Sequence, residues 1–207
     1  MTLPMSQPQP VELPVVGGQL PGARSDAVRN RALILAAAQQ LFDEKGVENV
    51  SMDAIACKAG VGKGTLFRRF GDRASLMLAL LEENEAQFQE SFIRGEPPLG
   101  PGAPAADRLV AFGHALLEQT ARHGEFKLAA ETGVPGVRFR SSPYLAHRAH
   151  VVMLLRQCAP ELDADYAADA LLATLSAEVV MHQLRGRSIP LAELKDGWEA
   201  LARRMLS

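Results

Sequence analysis

Aromatic side chains supply only 5% of this 207-residue sequence, and clusters of β-branched residues are nearly absent. Strands draw heavily on those two classes, whereas runs rich in Ala, Leu, Glu and Gln between Gly and Pro breaks favour helix, so an all-α fold without substantial sheet is expected. Cysteine is equally scarce. Cys57 and Cys158 stand in unrelated segments with no CxxC pair, which leaves out a disulfide framework and a zinc finger and fits two thiols in a reducing compartment. No stretch of about 18 consecutive apolar residues occurs, and no basic segment followed by an apolar run stands near the N-terminus. Neither a membrane span nor a secretory leader is therefore expected, and the cytoplasm is the expected location. Positive charge is not in excess either: the net charge is −2, so any affinity for nucleic acid has to come from a local patch.

What the sequence does have is 47% apolar content, ample for a continuous core, and a local reversal of charge. Residues 24–73 hold nine basic against six acidic side chains, +3, while the remainder of the chain carries −5. Residues 1–23, with five prolines and no Lys or Arg, are expected to form a disordered tail. Ile34, Ala37, Ala38, Leu41 and Phe42 fall at helical spacing and predict a first helix over 26–45, stopped by Gly46. Ser51 caps a second helix, Gly60 supplies a turn, a third helix starts near Gly62, and Asp72 caps a long fourth over 73–94. Beyond a Gly/Pro-rich loop at 95–104, a helix is expected to end at Gly124, followed by a short piece over 125–132 and a Val-Pro-Gly turn. Helices over 142–158, 163–185 and 190–206 complete about nine in all. The expected parts are the tail, a helix-turn-helix DNA-binding domain over 24–72, and a helical regulatory and dimerisation domain over 73–207.

The stretch SMDAIACKAGVGKGTLFRRFGDR, residues 51–73, places Lys63, Thr65, Arg68, Arg69 and Arg73 within eleven positions beside a Ser-capped helix. That pattern suits phosphate clamping and major-groove entry. A glycine inside a helix costs about 1 kcal/mol relative to alanine, so Gly64 is expected where a DNA backbone or base edge comes close. Over ILAAAQQLFDEKGVENVSMDAIACKAGVGKGTLFRRFGDRASL, residues 34–76, the sequence resembles the TetR family of transcriptional regulators. The resemblance implies a three-helix DNA-binding domain, a ligand-responsive helical core and a homodimer built on the last two helices. Such a protein binds a palindromic double-stranded operator, most often as a repressor, and is released by a small-molecule effector whose identity the sequence does not disclose.

By position, the resemblance puts Lys63, Gly64 and Thr65 in the recognition helix, Ser51 at the cap of the helix before it, and Arg73 where the family often has a phosphate-binding lysine. Gly62 stands in place of a frequent capping serine, Phe67 in place of a frequent tyrosine whose hydroxyl would bond phosphate, and Gly71-Asp72 in place of Pro-Ser or Pro-Asn. The expected DNA-binding set is thus Ser51, Gly62, Lys63, Gly64, Thr65, Phe67, Arg68, Arg69 and Arg73. Gly62 and Phe67 also motivate an alternative, a helical ligand-binding protein that has lost specific DNA binding.

Elsewhere, Phe88, Phe92, Phe112, Phe126, Met153 and Met181 either line an adaptable apolar pocket or fill the core, with His114 a polar contact. Leu171, Leu175, Val179, Leu194, Trp198 and Leu201 on the last two helices are expected at a dimer interface, packing within one subunit being the other reading. His147 and His150 share a helical face but have no carboxylate near them in sequence, and no nucleophile or paired carboxylate stands at a telling spacing from any histidine. No metal, cofactor or enzymatic activity is expected.

Overall fold

The computed structural model describes residues 21–131, 136 and 138–206; the expected tail up to residue 20, and Val134 and Pro135 of the expected turn, lie outside the described residues. Among the described residues there are nine α-helices and no strand. None of these helices is long and apolar enough to cross a membrane. The chain divides into two compact units, Met1–Arg69 and Phe70–Ser207.

In the first unit, α1 (Pro21–Lys45) packs on α2 (Met52–Ala59), and α3 (Lys63–Phe70) follows after a short turn. Ile34, Ala38, Leu41 and Phe42 of α1 are buried, as are Val50, Ile55, Ala56 and Leu66, which accounts for their 3.6-residue spacing. α1 begins at Pro21 rather than at residue 26, so residues 21–23, expected in the tail, are helical. Gly46 ends α1 with φ of 74°, and Gly60 ends α2 with φ of 66°, both in the left-handed region that glycine enters at no steric cost.

The second unit is arranged around α5 (Ala105–Glu131), which packs against α4 (Arg73–Arg94), α6 (Ser142–Cys158), α8 (Ala177–Met181) and α9 (Leu191–Met205). α7 (Ala164–Thr174) lies on α6. Leu109, Phe112, Leu154, Leu155, Ala168, Leu171 and Val180 form the centre of one continuous core. The caps are those the local chemistry calls for: the Ser75 amide donates to Asp72 Oδ1 at 2.8 Å, the Tyr144 amide to Ser141 Oγ at 3.4 Å, and the Asp165 and Tyr166 amides to Asp163 Oδ1 at 3.1 Å.

Gly124 does not end a helix. α5 runs straight through it, because the glycine is there for packing: a Cβ at this position would lie 2.5 Å from Met181 Sδ. Gly113, earlier on α5, is tighter still, with a Cβ position 1.8 Å from Cε2 of the Trp198 indole, whose Nε1–H donates to the Val110 carbonyl at 3.1 Å. The helix expected over 163–185 is broken instead at Leu175–Ser176. Ser176 Oγ accepts from the Val179 amide at 3.3 Å and starts α8, which passes into a π-helical turn over His182–Gly186.

The packing also corrects the expected dimer surface. Leu171, Leu175 and Trp198 are buried inside the second unit's own core, and Leu194 packs partly buried against it, so they offer little area to another subunit. Val179 and Leu201 alone of the six face solvent, 38% and 40% exposed.

Candidate functional site

α3 presents two unlike faces. Leu66 and Phe70, four residues apart, are buried, while Lys63, Gly64, Phe67 and Arg68 are exposed together on one side, with Arg69 exposed next to them. Thr65 is half-buried, and its amide and that of Leu66 donate to the Gly62 carbonyl at 2.9 and 3.2 Å. Gly62 therefore stands at the start of α3 without a side chain to serve the free amides there. Ser51 Oγ accepts from the Ala54 amide at 3.2 Å, fixing the entry of α2. Lys63 Nζ lies 2.8 Å from Asp53 Oδ2, and both side chains are more than 60% exposed, so water screens the pair and phosphate can compete for the lysine. A Cβ at Gly64 would meet no atom within 4 Å, so nothing inside the subunit explains a glycine there. Arg73, at the first residue of α4, is half-buried.

The second unit holds a cavity of about 500 Å³, a size typical of small-molecule sites. Its walls come from α4, α5, the start of α6 and the broken junction between α7 and α8. Leu78, Leu81, Leu116, Pro143, Leu172 and Leu175 supply most of the apolar lining. The polar groups are Glu82, Glu85, Gln89, Thr120, Lys127, Arg138, Tyr144, His147 and three serines.

Glu85 is the buried charge of this cavity, with 9% of its surface exposed. Its Oε1 lies 2.8 Å from His147 Nε2 and accepts from Gln89 Nε2 at 2.9 Å. Burial pushes the carboxyl up, but the bond to His147 and its charge, the Gln89 amide and the charge of Lys127 outweigh burial and hold it below the usual carboxylate value. Lys127 Nζ donates to Gln119 Oε1 at 2.8 Å. Arg138 donates to the Leu172 carbonyl at 3.0 Å and sits 5.4 Å from the Tyr144 ring centroid. The Tyr144 hydroxyl donates to Asp169 Oδ1 at 2.8 Å, and burial together with that carboxylate raises its pKa.

None of the seven residues expected at a ligand pocket lines this cavity. Phe88, Phe92 and Phe112 are buried against one another with centroids 5.2–5.4 Å apart, packed beside the rings of His147 and His150. Met181 fills the space over Gly124, Met153 is 39% exposed on α6, and Phe126 is half-buried on α5. His114 Nε2 lies 3.1 Å from the Lys195 carbonyl, turned toward α9. His150, buried among Phe92 and Phe112, is kept neutral, with its pKa lowered to about 4 by burial and by the charges of Arg108 and His147. The polar members of the cavity escaped sequence reading because Glu85, the carboxylate that His147 lacks in sequence, lies sixty-two residues away. The i, i+3 histidine pair was the one local signal.

Residues 34–80 match the family model described as bacterial regulatory proteins, tetR family. An HTH-type transcriptional regulator of Staphylococcus aureus strain MRSA252 is 29% identical over 168 residues, 81% of this chain and 89% of that one. Another, from the bovine strain RF122 / ET3-1, is 44% identical over 69 residues, 33% of this chain and 37% of its own length. The fold is similar to the crystal structure of a transcriptional regulator from Saccharomonospora viridis in complex with choline, with a TM-score of 0.65 and 20% identity over 86% of this chain and 96% of that one. The match in sequence spans the helices that carry the exposed basic face of α3, and over residues 34–80 the chain has the helix-turn-helix segment of the TetR family of transcriptional regulators.

Proposed function

We propose that the protein is a ligand-responsive repressor that binds a palindromic operator as a homodimer, with α3 of each subunit in the major groove of one half-site. The exposed face of Lys63, Gly64, Phe67 and Arg68 carries the reading, because it combines solvent-facing cationic side chains with a glycine that nothing within the subunit requires. Lys63, Arg68, Arg69 and Arg73 neutralise phosphates; Thr65 and Phe67 lie at the same groove, and Ser51 and Gly62 set the starts of the two helices.

The effector acts from the cavity of the second unit. The similar regulator from S. viridis is in complex with choline, which supports a small-molecule response here. α4 lends Leu78, Leu81 and Glu85 to the cavity and begins at Arg73, three residues after α3 ends, so an occupant that favours one setting of α4 changes the spacing of two recognition helices. Because the effector binds the DNA-free arrangement better, operator DNA weakens effector binding by the same factor.

Capture of genomic fragments by the purified protein, followed by a salt titration of the captured duplex, tests the reading. With about three of Lys63, Arg68, Arg69 and Arg73 on phosphate in each subunit, about six phosphates per dimer, log K should fall with log salt at a slope of about −5. Lys63→Ala should weaken all duplexes alike and flatten that slope by about one for each phosphate no longer neutralised. No captured fragment, or a slope near zero, would instead favour a helical ligand-binding protein without specific DNA binding, the reading to which bare Gly62 and hydroxyl-free Phe67 point.

A further inference from the structure

We propose that the cavity of the second unit takes an apolar amine, seated with its protonated nitrogen donating to Oε2 of Glu85. The inference rests on the reading of that cavity as the effector site and names the chemistry it selects. Both hydrogen bonds to Glu85 fall on a single oxygen: His147 Nε2 and Gln89 Nε2 converge on Oε1. Oε2 has no hydrogen-bond partner among the described residues, although Glu85 is nine-tenths buried and lines the cavity. That oxygen is not sealed from solvent, since His150 Nε2 is the one buried side-chain polar atom without a partner among the described residues, so a donor that enters the cavity can reach it. An ammonium group supplies that donor and adds to the positive charge that His147 and Lys127 already set against Glu85.

The cationic residues around the cavity are less available. Lys127 is held by Gln119 at 2.8 Å, and Arg138 by the Leu172 carbonyl at 3.0 Å and by the Tyr144 ring. Both are also more exposed than Glu85, so an anion at either would gain less from exclusion of water. Leu116, Leu172 and Leu175 in the same lining call for an apolar body. Glu82, exposed at the same wall, adds a second negative charge to the approach.

Calorimetric titration of the full chain at pH 7.5 with four probes of one alkyl length tests this: n-octylamine, 1-octanol, octanoate and octyltrimethylammonium. Octylamine should bind at least tenfold more tightly than octanol or octanoate, and Glu85→Gln, which keeps the shape of the side chain, should erase its advantage over octanol. Octyltrimethylammonium, a cation without an N–H, should fall below octylamine. Tighter binding of octanoate, or equal binding of amine and alcohol, overturns the amine class while leaving the cavity as an effector site. Binding of none of the four overturns the effector reading of the cavity as well. The order of the probes is measured on the unaltered chain, so it decides the matter even if Glu85→Gln does not fold.

Discussion

At Gly113 a single hydrogen decides how α5 and α9 meet. A methyl group there would overlap the rigid indole of Trp198, whereas at Gly124 it would meet only the thioether of Met181, which has free torsions to move aside. Gly113→Ala should therefore destabilise the protein by about 1–3 kcal/mol, the usual range for overpacking a filled core. Gly124→Ala should cost clearly less, since helix propensity gained in mid-α5 offsets part of the strain. Urea denaturation with an unchanged m-value separates the two, and equal losses would contradict this account. The same pair shows a limit of sequence reading at this scale. A glycine that ends a helix and a glycine that makes room for a neighbour look alike in sequence, and Gly124 was legible only once Met181 was in place. Glu85 is a second case: its neighbours on α4 mark it as a helical surface residue, and only the fold brings His147 onto it.

Whole elements were more legible where their signals are local. Ser51, Asp72, Ser141 and Asp163 each cap the helix that follows with their own side chains, and α2, α4 and α6 have the expected bounds. The break at Ser176 was not legible, because Ala173, Ala177 and their neighbours are good helix formers and the interruption is set by how α8 packs on α5. On α3 the informative residue is Gly64. Its Cβ position is open and its backbone is helical, so Gly64→Ala should raise stability by up to about 1 kcal/mol. If DNA backbone or bases approach that site closely, the same substitution should weaken DNA binding even as the melting temperature rises. A variant that gains stability and binds DNA unchanged would remove Gly64 from the DNA-facing surface.

For the whole molecule, two statements in the sequence pull apart. The net charge is −2, yet residues 24–73 carry +3, so attraction to DNA is confined to the unit that holds α3 and the rest of the chain repels it. Assembly is the other whole-molecule property. Trp198 lies in the monomer's core, so altering it would report folding and not association. Val179 and Leu201 remain exposed on α8 and α9, and the double substitution Val179→Asp, Leu201→Asp should shift sedimentation toward monomer with the helical spectrum unchanged if these side chains meet a second subunit. An unaltered sedimentation profile would move the interface elsewhere.

The two cysteines differ in a way that serves such measurements. Cys158 donates its thiol to the Leu154 carbonyl at 3.1 Å, and burial raises its pKa, so little of it is present as reactive thiolate; Cys57 is exposed on α2, one helix before α3. A thiol-directed spin label should therefore mark the natural chain once per subunit, at Cys57, without mutagenesis. If the proposed dimer forms, the distance between its two labels becomes a ruler for the gap between recognition helices, read in solution as a candidate effector is added.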